Sequence, residues 1–249
     1  MPVPTAFHDR TFPLCQSLNY REWAGYYAVS AYEVHHEHEY NAIRNAAALI
    51  DITPLFKYLI SGRDATRFVN RIITRDINKV AQGQVIYCCW CDEEGKVIDD
   101  GTITRLDENR YRWTAAEPNL RWFHLNSIGM DVQVEDISER TAALAVQGPT
   151  SARLLKAVAE ADIANLKYFR VTSGRLPALP STFHGPAIQE ISATRFGWNG
   201  KTRSKSGTRL RWGASSSTFI RQVCWRWMWR ALRRDCCCSM SITRVRGRR

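Results

Sequence analysis

A change of character near residue 175 constrains this chain more than any other feature. Before it, apolar residues recur with helix and strand periods; after Arg175 neither period is sustained. Charge divides at the same point. Residues 176–249 carry 15 Lys and Arg against two acids, Glu190 and Asp235, a net of +13. Residues 1–175 carry 20 Lys and Arg against 22 acids, a net of −2. All nine tyrosines fall at or before Tyr168. A packed core is therefore expected only in the first part. The overall net charge of +11 is no property of that core, and by itself it assigns the core no specific nucleic-acid partner.

The rest of the composition is that of an ordinary globular protein, 45% hydrophobic and 24% charged. No apolar run reaches membrane-spanning length, and Met1-Pro2-Val3-Pro4-Thr5 lacks the charged and apolar regions of a secretory signal. A cytoplasmic protein with no membrane partner is expected. Cys88 and Cys91 make a nominal C-x-x-C, but no second pair stands at zinc-ribbon spacing, so they read as strand cysteines alternating between faces. His35-His36-Glu37-His38-Glu39 lacks H-E-x-x-H spacing and reads as a solvated segment before an Ala-rich helix. No metal site is expected.

Periodicity orders the first part. Tyr40 to Ile50 has helical spacing, Phe56 to Ile60 reads as a strand, and Asp64 caps a helix whose apolar stripe is Ala65, Phe68, Val69, Ile72 and Ile73. Gln84 to Cys91 and Lys96 to Arg105 form a hairpin about the turn Asp92-Glu93-Glu94-Gly95. A second turn at Asp107-Glu108-Asn109 leads into Tyr111 to Ala115. A helix from Pro118 to Ile128, strands Asp131 to Ile137 and Ala142 to Val146, and a helix capped by Thr150 follow. This order predicts an α+β fold, antiparallel sheets with helices packed on one face.

Three segments carry a family resemblance. They are AALIDITPLFKYLISGRDATRFVNRI from Ala47, YCCWCDEEGKVIDD from Tyr87 to Asp100, and AALAVQGP from Ala142 to Pro149. In order and spacing they resemble the tetrahydrofolate-dependent aminomethyltransferase family, which includes the glycine-cleavage T-protein and related folate-dependent demethylases. The resemblance implies the aminomethyltransferase folate-binding fold in truncated form. A first lobe would comprise 1–51 and 137–175, a second α+β lobe 52–136, and 176–249 would be an aberrant basic tail, disordered or misfolded. It implies tetrahydrofolate as cofactor, a small methylated or aminomethylated donor, and a lipoyl carrier protein as a possible partner.

The resemblance also distributes roles. Asp99, at the end of a hairpin strand and facing a pocket, takes the catalytic role of orienting the reactive nitrogen and offsetting developing positive charge. Tyr87 lines the folate site as a platform for a flat ring. Asp100 points to the other face, as a folate-site residue or a solvated turn acid. Thr114 stands where the family often has Asn, and Glu117 either contacts ligand or caps the following helix. Where the T-protein carries Ser-His-Met, this chain reads Thr53-Pro54-Leu55 after Asp51-Ile52. That departure leaves demethylation of a small amine, sulfonium or aryl ether open beside aminomethyl transfer. A non-catalytic folate-binding relative is a third reading, although its Lys-Gly-Cys-Tyr-x-Gly-Gln-Glu motif is absent.

The tail has its own explanation. Joining each codon's first two bases to the last base of the codon before forces Trp225 to Leu, Met228 to Asp, Trp229 to Val, and Cys236, Cys237 and Cys238 to Leu. Permitted choices elsewhere turn 224–238 into M-L-A-L-D-V-A-R-V-E-A-G-L-L-L, which resembles a family helix. The same operation on Phe183 to Trp198 permits I-S-R-T-G-Y-T-G-D-L-G-Y-E-I-W-M, similar to the family's T-G-Y-T-G-x-x-G-Y-E motif. The tail reads as family sequence in a shifted frame, and little transferase activity is expected of the chain as written.

Overall fold

The computed structural model describes residues 1–174 and the backbone of 190 and 191. The expectations for the tail otherwise lie outside the described residues.

A short helix α1 (His8–Thr11) precedes a hairpin of β1 (Asn19–Trp23) and β2 (Tyr26–Ala31). The hairpin turns on Ala24 and Gly25, both at positive φ (47° and 81°), the pairing that two-residue turns require. Ala in the first turn position hides it from sequence reading. Helix α2 (Glu37–Asn45) leads to β3 (Ala48–Asp51), then β4 (Phe56–Ser61), α3 (Ala65–Ile72), β5 (Val85–Cys91), β6 (Val97–Asp107) and β7 (Arg110–Ala115). Helix α4 (Leu120–Asn126), β8 (Gln133–Asp136), β9 (Leu144–Gln147) and α5 (Ser151–Val158) follow. A short pair, β10 (Thr172–Ser173) with β11 (Glu190–Ile191), completes the described elements.

The largest sheet has the order β5-β6-β7-β4-β8, with all its described pairings antiparallel. Its alternation decides everything at the site. Tyr58 and Ile60, Ile86, Cys88 and Trp90, Ile103, and Tyr111, Trp113 and Ala115 share one face. Phe68, Val69 and Ile72 of α3 and Phe123 of α4 close over them. Trp90 and Trp113 meet edge to face at 4.9 Å, and Phe123 meets Tyr58 at 5.0 Å and Trp113 at 4.7 Å. Such contacts add about 0.5–1.5 kcal/mol each beyond area burial. The expected α+β architecture with helices on one sheet face is the one observed.

Several local expectations are corrected. The helix read over Tyr40 to Ile50 ends at Asn45, and Ala48–Asp51 pairs antiparallel with β9 instead. Non-local pairing overrides the helix propensity of the alanines. Gly148 permits this junction, because a Cβ there would stand 2.5 Å from the Ala46 carbonyl oxygen. The segment 35–39 is not uniformly solvated: Glu39 is fully buried and accepts from Tyr32 N at 2.8 Å. Asp64 and Thr150 occupy the positions preceding α3 and α5 but make no side-chain cap bond. Asp64 instead accepts from Asp131 N at 2.9 Å, tying the start of α3 to the approach to β8.

Candidate functional site

The site is built by the hairpin of β5 and β6. Asp92 shapes its turn by accepting from Glu94 N and Lys96 N at 3.0 and 2.8 Å, and Gly95 supplies a φ of +81°. The register that follows puts Trp90 opposite Asp99, Cys89 opposite Asp100 and Tyr87 opposite Thr102. Opposed residues share a face, so two consecutive acids point to opposite sides of the sheet.

Asp99 lies on the helix-covered side, only 6% exposed. Its carboxylate accepts from Asn119 Nδ2 at 2.8 Å, Glu117 N at 3.0 Å and Asp100 N at 2.8 Å. Asn119 in turn accepts from Trp90 Nε1 at 3.0 Å, and its backbone N donates to the Tyr58 hydroxyl at 2.9 Å. A buried carboxylate with three donors is a well-satisfied anchor. It ties the 115–119 loop to the sheet. Asp99 therefore lies on the helix-covered side of the sheet, and Asp100 is exposed on the other. Alternation alone separates the two acids; the phase comes from Trp90, which enters the core and takes Asp99 with it.

The second face carries the other candidates. Tyr87, Thr102, Thr114 and Lys57 form one row across four strands, set by the pairings Tyr87 with Thr102, Thr102 with Thr114 and Thr114 with Lys57. The Tyr87 hydroxyl donates to Asp100 Oδ2 in a short contact. That bond, more than burial, pushes the phenol up to about 12. Tyr87 is 47% exposed and Asp100 is exposed, so the face is accessible at this end. Toward β4 it closes: Lys57 is buried, its Nζ donates to the carbonyls of Thr53 and Leu55 at 2.8 and 2.7 Å, and burial lowers its pKa to about 8.

Gly101 lies between the acid pair and Thr102. A Cβ at this position would stand 2.0 Å from the Thr114 carbonyl oxygen, so β6 and β7 approach closely only with glycine there. Glu117 is exposed and touches Asp99 through its backbone N; the residue preceding α4 is Asn119, not Glu117. The structure thus brings Tyr87, Asp100 and Thr114 to one face and sets Asp99 and Glu117 apart from it.

Sequence reasoning missed Asn119 and Lys57. Lys57 did carry a signal, as the one charge inside the apolar run Phe56 to Ile60. Among the described residues, no cluster of three or more His, Cys, Asp and Glu is placed to hold a metal, and no helix is long and apolar enough to cross a membrane.

The acid hairpin stands on a helix-backed antiparallel sheet, and comparison with known proteins gives the class of protein that carries it. The family described as the GCVT N-terminal domain matches residues 14–183, and the chain belongs to that family. It is 32% identical over 136 residues to the aminomethyltransferase of Caldanaerobacter subterraneus subsp. tengcongensis, a match covering 53% of this chain and 36% of the relative. An aminomethyltransferase of a Thermoanaerobacter species is 33% identical over 135 residues, covering 53% of this chain and 37% of that one. The match thus spans little more than a third of the length of these relatives. Among solved structures, the glycine cleavage system aminomethyltransferase T of Bartonella henselae superposes with a TM-score of 0.63 at 21% identity, over 70% of this chain and 48% of that one. At that identity the likeness is one of fold.

Proposed function

We propose that the exposed end of this sheet face is the binding face of a tetrahydrofolate-dependent one-carbon transferase, and that Asp100 is the carboxylate that acts there. The observation that carries the reading is the Tyr87–Asp100 hydrogen bond on the accessible face. An exposed aromatic ring beside a carboxylate suits a flat heterocycle bearing N–H groups. Tetrahydrofolate, when bound, supplies the nitrogen that receives the one-carbon unit. Asp100 holds negative charge where positive charge develops during that transfer, and the Tyr87 phenol keeps its carboxylate oriented. Thr114 lines the same row, and Asp99 positions the loop beneath.

Family membership and the aminomethyltransferase relatives support the reaction class. The donor is an aminomethyl group on a lipoyl carrier protein or a small methylated amine, sulfonium or aryl ether. Thr53-Pro54-Leu55 favours the second set, since it departs from the T-protein triplet. Residues 1–51 with 137–175 and residues 52–136 form the two lobes of the binding unit. We further propose that residues 176–249 hold family sequence in a shifted frame in place of the T-G-Y-T-G motif, and that the chain therefore turns over little.

Calorimetric titration of tetrahydrofolate into the full chain tests the site. Asp100→Asn and Tyr87→Phe are expected to weaken binding, and Asp99→Asn to lower the melting temperature. Wild-type affinity in Asp100→Asn would sink the assignment. Turnover of a methylated donor by the purified chain would refute the proposed inactivity, and an uninterrupted gene frame with no family sequence one base away would remove its basis.

A further inference from the structure

The C-x-x-C read from the sequence is split by the strand, while a C-x-C is assembled. Cys88 enters the core at 4% exposure, where burial pushes its thiol up to about 12. Cys89 and Cys91 point to the opposite face, and both are half-buried and free. Two residues of extended strand separate Cα atoms by about 6.6 Å, near the upper end of the roughly 4.4–6.8 Å range that disulfides span. The ladder shifts register between Trp90 and Cys91, where β6 contributes Ile98 as an unpaired residue. The two thiols thus stand two residues apart on one face of β5. Thr74 adds a third contact, its hydroxyl 3.5 Å from Cys89 Sγ while it donates to the Cys89 carbonyl at 2.9 Å.

We propose that Cys89 and Cys91 are a redox-active dithiol that reduces a hydroperoxide while closing to a disulfide beside Asp100. The Cys89 sulfur, as thiolate, attacks one peroxide oxygen. The O–O bond breaks, the departing hydroxide takes up the thiol proton and leaves as water, and Cys89 becomes a sulfenic acid. The Cys91 sulfur then attacks the Cys89 sulfur, the S–O bond breaks, and a second water leaves. With hydrogen peroxide, two thiols lose two electrons in all and one peroxide yields two waters. Cys89 is the first nucleophile because the Thr74 hydroxyl fixes its sulfur in place, while desolvation and the neighbouring thiol push the Cys91 thiol up. Asp100 is the cross-strand neighbour of Cys89, so the reaction falls next to the proposed binding face without depending on what binds there.

The test uses the full chain, reduced, then exposed to hydrogen peroxide, alkylated after unfolding and digested with trypsin. The peptide from Val80 to Lys96 holds Cys88, Cys89 and Cys91 together. It is expected to lose two hydrogen masses, with Cys88 alkylated, Cys89 and Cys91 protected, and the loss reversed by dithiothreitol. Alkylation of both Cys89 and Cys91, a bridge from either to Cys88 or to the tail cysteines, or sulfinic acid in place of the bridge would each overturn the proposal. In Cys91→Ser, dimedone is expected to label Cys89 as the sulfenic acid; label absent there, or present on Cys91 of Cys89→Ser, would overturn the order of attack.

Discussion

At the scale of single residues, the two neighbouring acids divide anchoring from exposure. Asp99→Asn replaces an acceptor facing three donors with a group that must turn an NH2 toward one of them. The expected cost is about 1.5–3 kcal/mol, the value of hydrogen bonds to a charged group, read from the urea midpoint. Asp100→Asn, on the exposed side, is expected to leave that midpoint almost unchanged. It should act on Tyr87 instead. With a folded pKa of about 12 against an ordinary 10, the protonated phenol is favoured by the folded state. Its contribution is thus complete below pH 10 and is lost as pH rises through 12. Ultraviolet titration should show one phenol returning toward the ordinary tyrosine value in Asp100→Asn and one fewer late-titrating phenol in Tyr87→Phe. The place of Tyr87 on a hairpin strand is legible in the sequence; which acid shares its face is not. That choice rests on Trp90 entering the core opposite Asp99, a tertiary fact that period-two alternation cannot supply.

At the scale of elements, the site depends on how closely β6 and β7 lie. Gly101→Ala sets a methyl group 2.0 Å from a backbone carbonyl on β7, which cannot rotate away. The strands must part, and the expected loss is about 2–3 kcal/mol, toward the upper part of the range for overpacked sites. Faster amide exchange at Thr114 and Ala115 would report the parting directly. The central hairpin and α3 were readable because a turn sequence and an apolar stripe act locally: Asp92 and Gly95 make one, Phe68, Val69 and Ile72 the other. Strand β3 was not. Ala48 and the two alanines before it favour a helix, and only pairing with Leu144–Gln147, far along the chain, makes it extended. The first hairpin was hidden for a different reason, since its turn places an alanine at positive φ.

At the scale of the whole molecule, the charge division predicts behaviour that residues 1–175 would not show alone. The +13 of residues 176–249 should hold the full chain on a heparin column, with retention falling steeply as salt rises. A chain of residues 1–175, at −2, is expected to pass through, and retention of that shorter chain would show the basic character to lie elsewhere. Within the described residues, the chain returns to β5 just before the composition changes. Val85 N donates to Phe169 O at 2.9 Å, Gln84 bridges Arg170, and Val171 N donates to Gly83 O at 3.0 Å. An open strand margin is a template on which other copies add by hydrogen bonding, the usual first step toward aggregation. Here part of that margin is occupied by the chain's own residues 169–171. Self-protection of this stretch therefore needs nothing beyond residue 171, and is complete before the composition changes.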